Sequence, residues 1–202
     1  MPHPQQTRTI VVANQKGGVG KTTTAVNIAS ALARGGLRVL LMDMDPQGNA
    51  STALGVEHRS GVKGTYEVLL QQTPIAEVAQ ASPESEGLFV VPATIDLAAA
   101  EIELVPQVAR EQRLKKSVLR HLADHEVDYV IFDCPPSLGL LTLNALVAAS
   151  EILIPIQCEY YALEGVTQLM RTIQLVREEL NPDLELSTVL LTMFDARTKL
   201  ST

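Results

Sequence analysis

Between Gln15 and Thr24 the chain reads Gln-Lys-Gly-Gly-Val-Gly-Lys-Thr-Thr-Thr, which sets glycines, two lysines and a run of hydroxyls side by side. Gly17, Gly18 and Gly20 let the backbone curl until successive N–H groups converge on an oxyanion, and a helix starting at the same point adds the positive end of its dipole. In such a phosphate-binding loop the closing lysine, Lys21, reaches the β- and γ-phosphates, and the next hydroxyl, Thr22, ligates Mg2+. The usual pattern has glycine five positions before Gly20. Here that position is Gln15, and the loop carries a second lysine, Lys16. Lys21 already neutralises the phosphates from inside, so Lys16 is expected to face outward, toward a nucleotide held by a second copy of the chain. That arrangement predicts a nucleotide-sandwich dimer.

Two acidic segments could complete the chemistry. The first is Asp43-Met44-Asp45-Pro46-Gln47-Gly48-Asn49, in which Asp43 and Asp45 share a face if the preceding strand persists. Carboxylates there could orient metal-bound water or an attacking water, while Asp, Pro, Gly and Asn also make the stretch a plain turn. The second is Asp133, closing the apolar run Tyr129–Phe132, where one anion near a hard cation can accept hydrogen bonds from metal-bound water.

These residues need a scaffold that brings separate loops to one edge. Thr9–Ala13, Arg38–Met44, Leu88–Val91, Tyr129–Asp133, Glu151–Gln157 and Leu186–Thr192 read as short apolar strands, with Pro155 keeping the fifth away from an ideal central place. Between them, Thr22–Arg34 reads as a helix stopped by Gly35-Gly36, and 65–71, 74–80, 95–105, 108–125, 140–149 and 166–180 also read as helices. The alternation gives an α/β fold, a doubly wound, mostly parallel sheet with helices on both faces, whose ligands sit beyond the carboxyl ends of the strands. In the 108–125 helix Leu114, Val118, Leu119 and Leu122 mark the expected buried side. Arg110, Arg113, Lys115, Lys116 and Arg120 are expected on its solvated face, and Glu101 and Glu103 are likewise expected in solvent.

A length of 202 residues fits a single domain that buries roughly 70% of its unfolded surface. The net charge of −7 does not advertise nucleic-acid binding, so any DNA contact needs a local basic patch. No apolar run reaches the ~18 residues of a membrane span, and the start lacks a signal-peptide pattern, so a cytoplasmic protein without a membrane partner is expected. Only two cysteines occur, which points to reduced buried thiols.

Lys-Gly-Gly-Val-Gly-Lys-Thr-Thr resembles the deviant Walker A signature of the ParA/MinD group of P-loop ATPases. Asp-Pro-Gln-Gly-Asn at 45–49, Cys-Pro-Pro-Ser-Leu-Gly at 134–139 and Cys-Glu-Tyr-Tyr-Ala-Leu-Glu-Gly at 158–165 resemble the partition proteins of the ParA/Soj type within it. The resemblance implies ATP and Mg2+ as cofactors, bound through Lys16, Gly17, Gly18, Val19, Gly20, Lys21, Thr22 and Thr23. It also implies that Asp45 holds the hydrolytic water, that Asp43 and Asp133 order the waters of a metal ligated by Thr22, and that Lys16 acts catalytically across the dimer. By the same likeness the protein is a slow, partner-stimulated ATPase of chromosome or plasmid partition. It forms an ATP-dependent homodimer, binds DNA without sequence preference at the nucleoid and is stimulated by a ParB-type protein. Arg197 matches a DNA-facing arginine. Relatives of this kind continue beyond the last strand, so the 202 residues are expected to be a C-terminally truncated domain. A membrane-associated positioning ATPase of the MinD kind is the alternative. An iron protein related to nitrogenase reductase is disfavoured because Cys134 and Cys158 do not match its cysteine positions.

Overall fold

The computed structural model describes the backbone of residues 1–157 and 162–194, and the side chains of all of these except 162–166. Strand β1 spans Arg8–Val12, β2 Val39–Asp43, β3 Gln80–Ala81, β4 Leu88–Val91, β5 Tyr129–Asp133, β6 Glu151–Gln157 and β7 Glu185–Thr192. They form one sheet in the order β3-β4-β2-β5-β1-β6-β7, parallel throughout except for the short β3 at its edge. Buried on both faces, the central strands are continuous runs of Val, Ile, Leu and Phe without polar alternation.

The helices are α1 Lys21–Arg34, α2 Asn49–Ala53, α3 Thr65–Leu70, α4 Ile75–Val78, α5 Leu97–Glu103, α6 Arg113–Asp124, α7 Leu140–Ala148 and α8 Ala162–Glu179. Strand alternation divides the core. Ile10, Val12, Val39 and Leu41 pack with Ala25, Ala29 and Ala33 of α1, whereas Val11, Leu40, Met42 and Phe132 pack with α5, α6, α7 and α8. The doubly wound α/β fold is thus present, with its switch point between β1 and β5, β1 lying beside both β5 and β6.

Several boundaries and environments depart from expectation. β2 ends at Asp43, so Asp45 lies in a turn and not on a strand face shared with Asp43. The helix expected from Val108 is broken: Ala109 takes a left-handed φ of 49°, a 3-10 turn follows over Arg110–Gln112, and α6 proper starts at Arg113. Leu114 and Val118 are buried, but Leu119 is 58% exposed, because it falls one residue off the narrow apolar stripe. Arg113 is drawn in to donate to the carbonyls of Leu69 and Leu70 at the end of α3, and Lys115 donates to Asn181. Pro155 sits inside β6 but beyond the residues that β1 pairs, which run only to Leu153, so its missing N–H breaks no bond of that ladder.

Candidate nucleotide site

Local geometry around Gln15–Thr24 is that of an anion cradle. Gly18 and Gly20 adopt φ of 74° and 86°, left-handed values that an L side chain would strain, and Gly20 is the N-cap of α1. A Cβ placed on Gly17 or Gly18 would meet nothing within 4 Å among the described residues, so the loop is open at these two positions. Asn14, buried directly after β1, ties the loop down: its Oδ1 accepts from the Lys16 amide (3.0 Å) and its Nδ2 donates to the Pro155 carbonyl (2.7 Å). Lys21 is buried, and its ammonium curls back to donate to the Lys16 carbonyl at 3.0 Å. Burial lowers its pKa, against the opposing pull of Asp133. The Lys16 ammonium lies 3.4 Å from Gln157 Oε1 of the same chain.

The acids arrive on adjacent strands, with Asp43 of β2 in register with Asp133 of β5. Both are fully buried, yet their surroundings differ. Asp43 Oδ2 accepts from the Ser51 amide (2.9 Å) and hydroxyl (2.7 Å), and Oδ1 accepts from the Asp45 amide (3.1 Å). Burial nonetheless raises its pKa to about 6. Neither oxygen of Asp133 has a hydrogen-bond partner among the described residues. The Thr22 hydroxyl is near enough to favour the anion without reaching hydrogen-bond geometry, and burial together with the charge of Asp43 pushes the pKa up to about 8. An orphaned buried carboxylate is costly unless a donor is supplied from outside. Beside a phosphate cradle the fitting donor is water on a hard cation, and Mg2+ usually keeps several waters while taking few protein ligands. The described residues contain no cluster of three His, Cys, Asp or Glu side chains able to hold a metal by themselves.

Asp45 is buried and its Oδ1 accepts from the Gln47 amide (3.0 Å), so its carboxylate is held by the turn it begins. Cys134 is a free buried thiol whose pKa burial raises. Cys158 and Arg197 lie outside the described residues, as do the Cys-Glu-Tyr-Tyr segment and the end of the chain. No described helix is long and apolar enough to cross a membrane.

A family described as an AAA domain (AAA_31) matches residues 7–186. The sporulation initiation inhibitor protein Soj of Bacillus subtilis is 53% identical over 95% of this chain and 74% of its own length. The chromosome partitioning protein ParA of Myxococcus xanthus is 58% identical over 96% of this chain and 68% of its own. The chain belongs to the ParA/Soj family. Among solved structures, a Mycobacterium smegmatis protein described as cobyrinic acid a,c-diamide synthase, with bound ADP and magnesium, superposes with a TM-score of 0.90. It is 45% identical, over 97% of this chain and 78% of that one.

Within the ParA/Soj fold of this chain, Lys21, Thr22, Asp45 and Asp133 converge, since the charges of Asp133 and Asp45 both act on Lys21 and the Thr22 hydroxyl acts on Asp133. Other participants were not singled out from sequence. The Thr192 hydroxyl, at the end of β7, donates to the Val19 carbonyl (2.9 Å) and so braces the loop from the far edge of the sheet. Thr65 is fully buried and donates to the Asp43 carbonyl (2.7 Å). Glu101, expected in solvent, caps α7 instead, and Glu103 accepts from the Tyr66 hydroxyl (2.6 Å). Asn14 alone had a local signal: an Asn two residues before an amide it can accept from is an Asx turn.

Proposed function

We propose that the chain is an ATP-driven partition switch, in which Mg·ATP binding assembles a DNA-binding dimer and hydrolysis dissolves it. The observation that carries this reading is the pairing of an open glycine cradle with a fully buried, unpartnered carboxylate at Asp133. Glycines 17, 18 and 20 with Val19 and Thr23 offer backbone N–H groups to the phosphates, Lys21 turns from the Lys16 carbonyl to the β- and γ-oxygens, and Thr22 offers a hydroxyl to the metal. When bound, Mg2+ would neutralise charge on the phosphates and supply polarised waters. Asp133 would accept hydrogen bonds from such waters, and Asp43 Oδ1, which already accepts from the Asp45 amide, would offer its remaining lone pair beside them. Asp45 orients a water for in-line attack. Lys16 leaves Gln157 and crosses to the phosphates held by the second protomer; a cation supplied in trans is worth ~10^3–10^5 in rate for related phosphoryl transfers.

Loss of the γ-phosphate removes what Lys16 clamps, so the dimer separates and two weak DNA half-sites lose their avidity. The partner that triggers this is a ParB-type DNA-bound protein, and the site of action is the nucleoid.

The test is co-sedimentation with DNA or with lipid vesicles in the presence of ATP or ADP, at two salt concentrations. ATP-specific, salt-sensitive retention on DNA is expected. Retention on vesicles alone would replace the partition reading with that of a membrane-positioning ATPase.

A further inference from the structure

Two contacts away from the phosphate-facing side chains tie both acid-bearing loops to one segment, the run from Pro92 after β4 to the end of α5. At its start the Ala93 amide donates to Ser51 Oγ (3.1 Å), and that hydroxyl donates in turn to Asp43 Oδ2. Near its end Glu101 accepts from the first amides of α7, Leu140 (2.8 Å) and Leu141 (3.2 Å). α7 follows directly on the Asp133–Gly139 turn and has no side-chain cap of its own, so its N-terminus is capped from another helix. A Cβ on Gly139 would run into both carboxylate oxygens of Glu101, so the glycine is what admits the carboxylate. Between these two contacts the segment is anchored in the core by Ala93, Leu97 and Ala100, all fully buried.

We propose that the Pro92–Glu103 segment is a brace coupling the loop after β2 to the loop after β5, with Ser51 and Glu101 as positioning residues at its ends. Neither side chain touches the nucleotide; Ser51 acts through Asp43 on Asp45, and Glu101 acts through the start of α7 on the turn that follows Asp133. The functional part of this inference rests on the ATPase reading, whereas the coupling is a property of the nucleotide-free fold.

Amide hydrogen exchange and single-turnover hydrolysis on the protein and on two variants test it. Glu101→Gln removes the charge of the cap, and Gly139→Ala displaces the cap without altering Glu101. In the nucleotide-free state both are expected to speed exchange at residues 140–143 by about tenfold, in line with the loss of a helix cap. Exchange at the Ser51 and Thr52 amides should rise in the same samples. With Mg·ATP, hydrolysis should fall about tenfold while ATP affinity stays within about threefold, the pattern of a lost transition-state contact. Faster exchange confined to α7, or affinity and hydrolysis falling together in Glu101→Gln, would overturn the brace. Absence of ATP binding by the unaltered protein would instead sink the ATPase reading, and the exchange measurement would still judge the coupling.

Discussion

Replacing Asp133 with Asn should move stability and ligand binding in opposite directions. Asp133 is fully buried with no hydrogen-bond partner among the described residues, and its pKa rises from 3.8 to about 8. Below pH 3.8 the carboxyl is protonated in folded and unfolded chains alike, and its ionisation costs nothing. As pH rises toward 8 the unfolded chain releases the proton while the fold retains it, so stability drains at about 1.4 kcal/mol per pH unit, on the order of 5 kcal/mol over the window, and levels off above it. The substituted amide would carry no such cost but would be buried short of partners, at about 1–3 kcal/mol per unmet group. The net expectation at pH 8 is a nucleotide-free variant more stable than the parent by about 2 kcal/mol, a rise of about 4–8 °C in Tm for a chain of this size. At pH 5 the difference should shrink toward zero or reverse. The assay is thermal unfolding at both pH values with a chelator present, followed by ADP titration with and without Mg2+. The variant should lose the magnesium-dependent part of its ADP affinity. A variant less stable than the parent at pH 8, or one whose ADP affinity still responds to Mg2+, would refute the assignment of Asp133.

Lys21→Ala should abolish ATP binding in equilibrium titration, because the buried ammonium is the cation inside the loop. Lys16→Ala should bind ATP but stay monomeric in light scattering with ATP; ATP-dependent dimers from this variant would remove the role in trans. Asp45→Ala should hold an ATP dimer on DNA, with single-turnover hydrolysis slowed by at least about 100-fold, the lower end of what a positioned acid or base contributes. Rapid phosphate release by that variant would take Asp45 out of the mechanism.

What could be read from the sequence was local, and what could not was distant. The glycine loop, the apolar strands and the acids closing them are each specified within a few residues, so the cradle, Asp43 and Asp133 could be named and set at the carboxyl edge of one parallel sheet. The division of labour between the two acids was hidden. It depends on Ser51 folding back to Asp43 across a turn, while nothing folds back to Asp133. Ser51 to Ala93, Glu101 to Leu140 and Thr192 to Val19 join elements brought together only by the sheet order, and no spacing announces them. Leu119 and Ala109 failed for two other reasons: Leu119 lies within the unbroken α6 but one residue off its buried stripe, and the left-handed residue at Ala109 breaks the helix expected over 108–125 before α6 starts.

The most direct test of the account is a crystal structure with Mg2+ and a non-hydrolysable ATP analogue. The metal should lie about 2.1 Å from Thr22 Oγ1, with one of its waters donating to Asp133 and Lys16 of a second protomer at the terminal phosphate. A metal held away from Asp133, or Lys16 still resting on Gln157 of its own chain with no second copy near, would contradict it.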